Sequence, residues 1–162
     1  MDGLEHYYEL TGEGAVTLMG LLFVVITLAL ERHGRDDTWL AGTFLTPTVF
    51  HLGVVFMIAL VALSPEADRL IPPFGLIGVL GLAYSASIAL KVAHSGQEWD
   101  AWLFHAGIPI VCYLGIIVAA WLGLNSMRQA YLILRAVSAL LLLVGMRNAW
   151  ALAMEVARRK SN

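Results

Sequence analysis

Four long stretches of this chain carry no charge at all. No Asp, Glu, Lys or Arg occurs between Glu13 and Glu31, Asp37 and Glu66, Arg69 and Lys91, or Asp100 and Arg128. A helix needs roughly 20 apolar residues to cross about 30 Å of hydrocarbon. Each interval is that long or nearly so. Inside hydrocarbon every backbone amide must be satisfied by the protein itself, which leaves helices and closed barrels. The period-2 alternation of a membrane barrel is absent. The expected fold class is therefore all-α: a polytopic bundle of about five transmembrane helices, forming one domain over residues 1–162. The spans are expected near 14–31, 40–64, 72–93, 102–124 and 127–149.

Composition agrees with lipid as the main solvent. Hydrophobic residues make up 59% and charged residues 14%, against roughly 45–50% and about 25% in soluble domains. Mean hydropathy is +0.76. Asp2, Glu5, Glu9 and Glu13 precede the first apolar run with no Lys or Arg. A cleaved signal has a basic start, so a retained first span is expected. No basic stripe interleaves with aromatics, and nucleic acid is excluded as a partner. The lone Cys112 rules out an internal disulfide and a cysteine-rich metal site.

Orientation follows the asymmetry of Lys and Arg. With five spans, the loops after the first and third share a side with the C-terminus. Arg32, Arg35, Lys91, Arg158, Arg159 and Lys160 fall there, whereas Arg69 and Arg128 fall opposite. The N-terminus is expected outside and the C-terminus inside, in a plasma or inner membrane. Trp39, Trp99, Trp102 and Trp150 mark the inner interface and Trp121 the outer one. Residues 150–162 are expected to continue the last helix as a cytoplasmic basic end, projecting into the cytoplasm or lying on the anionic leaflet. Connections are short, so function must reside in the bundle, at its mouths or on a partner.

Polar groups at membrane depth are costly, which makes each one a candidate. His51 falls near the midplane, about 18 Å along its helix from Trp39. Thr43, Pro47 and His51 share a face, with Thr48 beside it. Pro47 removes an amide and frees the carbonyl of Thr43. His105, Pro109 and Tyr113 repeat the theme on the fourth helix, running from the inner interface toward the depth of His51. Tyr84, Ser85 and Ser87 are available on the third. Arg135 lies about 10 Å inside the last helix, a candidate for lipid phosphate or an anion. Arg147 and Asn148 fall near the inner interface, where they anchor the helix or cap the bundle. Gly78, Gly81 and Ser85 form a small-residue face suited to close helix packing, within the chain or between subunits.

Two cofactor classes come into question. His33, His94 and His105 with Asp36, Asp37, Glu98 and Asp100 supply zinc-type ligands, but scattered rather than at compact spacing. His51 and His105 differ in depth by about 13 Å and make poor axial partners for one haem. No metal or cofactor is expected. No hydrolase, metalloprotease or nucleotide-binding motif is present, and no paired carboxylates lie inside the membrane, so the chain does not read as an enzyme.

The leading expectation is a small channel- or transporter-like protein moving an ion, proton or small solute. His51, Thr48, Thr43, His105 and Tyr113 would form its path, with pH dependence between about pH 5.5 and 7.5, around an imidazole's ordinary range. The rivals are an accessory subunit of a larger membrane complex and a haem or metal redox protein. Expected partners are membrane lipids and either further copies of the chain or another membrane subunit.

Overall fold

The computed structural model describes residues 2–33, 46–94 and 103–158. Among them the chain is all-α. Five helices follow in order: α1 (Asp2–His33), α2 (Thr46–Leu63), α3 (Ala67–His94), α4 (Ile108–Gly123) and α5 (Met127–Arg158), with a π-helical turn at Leu103–Gly107 leading into α4. Three stretches are long and apolar enough to cross a membrane: Gly3–Leu28, Ala67–Leu90 and Met127–Met154. The apolar stretches of α2 and α4, Pro47–Leu63 and Ile108–Gly123, are shorter.

Two helices start earlier than charge alone suggests. α1 begins at Asp2 rather than near residue 14, because Leu4, Tyr8, Thr11, Ala15, Leu18 and Leu22 repeat at helical spacing along one face. That face turns inward, with Tyr8 and Ala15 almost wholly buried. Glu5, Glu9 and Glu13 occupy the exposed side of the same helix. α3 begins at Ala67 rather than near 72, and it takes Pro72 and Pro73 into its second turn. Their missing amides would have bonded the carbonyls of Asp68 and Arg69, at the bundle's end, where those side chains are exposed.

The turns α2–α3 and α4–α5 are tight. In the first, Ser64 Oγ accepts from the Glu66 amide at 3.2 Å. In the second, the Asn125 and Ser126 amides both donate to the Leu122 carbonyl. Such turns force antiparallel neighbours. α3 packs on α4, α4 on α5, α5 on α2 and α2 on α3, closing a ring of four, while α1 lies outside it against α2 and α5.

Small residues set the close approaches. A Cβ at Gly75 would sit 2.8 Å from the Cβ of Ala120, one at Gly78 would sit 2.9 Å from Ile117 Cγ1, and one at Gly81 would overlap the Tyr113 ring. The small-residue face of α3 is thus consumed within the chain, against α4. Gly12 meets Ala59 in the same way between α1 and α2. Trp121 and Trp150 lie exposed near opposite ends of the bundle. Trp39, Trp99 and Trp102 lie outside the described residues.

Candidate functional site

The four ring helices each bring polarity inward at the same half of the bundle. On α2, Thr48 and His51 are buried, and on α4 so is Tyr113. His51 Nδ1 and the Tyr113 hydroxyl are 2.7 Å apart. This hydrogen bond joins α2 to α4 across the ring. When the imidazole carries its proton on Nε2, the hydroxyl donates to Nδ1; an imidazolium would donate instead.

The Tyr113 ring is held by what surrounds it. It lies flat against Gly81, where no side chain intervenes. Phe50 packs beside it at 6.1 Å between centroids and beside Tyr84 at 4.9 Å. These tilted contacts fix the ring's position and so the hydroxyl's.

A second polar layer lies one helical turn further toward the C-terminal end. Two contacts set its level: Leu52 lies against Gly145 of α5, and Tyr113 against Gly81 of α3. Three or four residues along each helix, about 5 Å, come Thr48, Asn148 and Ser85, with Pro109 on α4. Ser85 and Asn148 are buried, at 0% and 2% exposed. Ser85 Oγ and Asn148 Oδ1 have no hydrogen-bond partner among the described residues. Buried polar atoms are nearly always paired by protein or water.

The π-helical turn sits beside this layer. Pro109 offers no amide to the carbonyl of His105, and the chain widens into π geometry over Leu103–Gly107 before α4 begins. Such wide turns occur frequently at functional sites. Arg147, next to Asn148, stacks over Phe104 with Cζ 3.9 Å from the ring centroid.

Toward the N-terminal end the interior turns apolar. Val55, Ile58, Ile71, Ile116, Ala119, Leu134 and Leu141 pack there, closing about 10 Å of the bundle axis at 1.5 Å per residue. Among the described residues at this end, Tyr8 donates across to the Tyr131 carbonyl at 3.1 Å, whereas two further buried hydroxyls serve their own helices. Thr11 donates to the carbonyls of Tyr7 and Tyr8, and Ser138 to those of Leu134 and Arg135. Beyond this plug a cavity of about 780 Å³ opens at the N-terminal end, lined by Glu5, Glu9, Asp68, Arg128, Tyr8 and Tyr131 among others.

Of the residues expected in a path, the structure joins His51 with Tyr113 and places Thr48 beside them. Thr43 and the His105 side chain lie outside the described residues. Ser87 does not join the interior: it is exposed and donates to the Tyr84 carbonyl at 2.7 Å. Arg135 is half-buried with its guanidinium 4.8 Å from the Tyr7 ring centroid, and Tyr7 donates to the Arg135 carbonyl at 2.7 Å. Sequence spacing alone does not show this aromatic partner from α1. Asn148 is buried within the bundle, at 2% exposed. Among the described residues no three His, Cys, Asp or Glu side chains converge. Against known proteins, no family model, no curated protein and no solved structure matches this chain.

Proposed function

We propose that the protein is a small channel- or transporter-like membrane protein moving an ion, proton or small solute, with His51 and Tyr113 in its path. One observation carries this reading: a buried imidazole–phenol hydrogen bond spans the centre of the four-helix ring. Intramembrane ionisable groups mark substrate and proton pathways when they face a bundle's interior. Thr48 adds a hydroxyl beside the pair, and the π turn at Leu103–Gly107 supplies irregular backbone, which membranes tolerate where it lines a cavity. The apolar plug on the N-terminal side fits a carrier with one side closed better than an open pore.

In this proposal all five helices cross the membrane, with the N-terminus outside and the C-terminus inside. Thr43 and His105 extend the path toward the inner face, and Arg135 meets lipid phosphate or an anion near the outer one. The test is flux across liposomes holding the purified protein, over about pH 5.5 to 7.5, around the ordinary imidazole range. Protein-dependent flux that falls in His51→Ala supports the assignment; unchanged flux in that variant removes His51 from the path.

A second reading, an accessory subunit of a larger membrane complex, is favoured by the outer face of α1. That helix lies outside the ring and exposes Leu21, Phe23 and Val24 by more than half, a surface for lipid or for another membrane protein. Stable copurification with a second protein and silence in liposomes would support it.

A further inference from the structure

We infer that the guest of the two polar layers is small, uncharged and hydrogen-bond donating, of the urea or polyol class, rather than an ion. This rests on the transport reading above. The inference starts from Ser85 Oγ and Asn148 Oδ1, buried oxygens on α3 and α5 with no partner among the described residues. They lie on the two ring helices not joined by the His51–Tyr113 bond, one turn closer to the C-terminal end and level with Thr48. An amide oxygen only accepts, whereas a hydroxyl both accepts and donates. Their common complement is a molecule with N–H or O–H groups.

Charge decides between guests. Among the described residues, the two layers present an imidazole, a phenol, two hydroxyls and an amide, and no carboxylate, lysine or arginine. A buried ion without a counter-charge is penalised by desolvation far more than a neutral polar molecule. A cation's hydration shell is replaced by a ring of oxygens. Here the described ring helices commit most carbonyls to helical bonds, and Pro47 and Pro109, which each withdraw one amide, fall short of freeing a ring of them. Arg147 stands beside Asn148 and stacks on Phe104. An anion that passed Arg147 would find no second cation among the described residues of the layers.

Stopped-flow light scattering on proteoliposomes tests this, with urea and glycerol as probes beside dye-reported proton and potassium flux. The expected result is protein-dependent entry of urea or glycerol, with ions at the empty-liposome rate. Asn148→Leu should slow solute entry roughly five- to tenfold, the worth of about one hydrogen bond. Ser85→Ala, the milder change, should slow it in the same direction, and Gly20→Ala on the exposed face of α1 should leave it unchanged. Protein-dependent ion flux with urea and glycerol at the empty-liposome rate would overturn this inference and leave the transport reading standing. No protein-dependent flux of any probe would overturn both.

Discussion

The His51–Tyr113 pair sets the residue scale. Tyr113→Phe keeps the ring against Gly81 but removes the hydroxyl that bonds His51 Nδ1. Leaving one partner of a buried hydrogen bond unsatisfied costs about 1–3 kcal/mol. A drop of that size in unfolding free energy is expected, measured by denaturant titration in detergent. Asn148→Leu should behave oppositely. Its amide oxygen has no partner among the described residues, so an apolar side chain of similar volume should hold or raise stability while transport falls. A stability loss above about 1 kcal/mol would instead mean that the amide is structural. His51 and Tyr113 are legible in the sequence because each is a polar side chain inside a long charge-free apolar run. Asn148 is not. Counting along the helix gives its depth but not which way its side chain turns, and the packing of α5, buried as far as Leu152, turns it inward.

At the scale of elements, glycine placement and prolines shape the site. Gly81→Ala puts a methyl group where the Tyr113 ring lies. Overpacking of this kind costs about 1–3 kcal/mol, and the displaced ring takes the His51 bond with it. Gly20, where an added Cβ would meet nothing within 4 Å, is the matching control: alanine there should be neutral or stabilise by up to about 1 kcal/mol through helix propensity. Thermal unfolding of the two variants side by side checks both. The spacing of Gly78, Gly81 and Ser85 announces a close-packing face but not its partner, since a small-residue stripe suits a neighbouring helix or a second copy equally. The start of α1 is hidden for a different reason. Three glutamates mask the repeat from Leu4 to Leu22, although acidic residues on the exposed side are compatible with an inward apolar face. Read through them, the repeat turns Tyr8 inward, and Tyr7 beside it stacks with Arg135 of α5.

For the whole molecule, the bundle divides along its axis. Among the described residues one half is an apolar core; the other, nearer the C-terminal end, holds two polar layers. The helical class and the rough positions of the helices follow from charge-free intervals, because hydrocarbon demands long uncharged segments. The division of the interior does not follow, because it depends on which helices oppose one another, and short loops fix neighbours without fixing rotation. The account predicts that the polar half is hydrated and the dry half is not. Substituted-cysteine labelling tests this directly: Ser85→Cys and Ile116→Cys, each in a Cys112→Ala background and reconstituted in bilayers, are exposed to a small polar methanethiosulfonate reagent from each side. The predicted result is modification of Ser85→Cys from the C-terminal side, slowed by urea, and no modification of Ile116→Cys from either side. An unreactive Ser85→Cys, or equal labelling of both positions, would contradict a hydrated polar half beside His51.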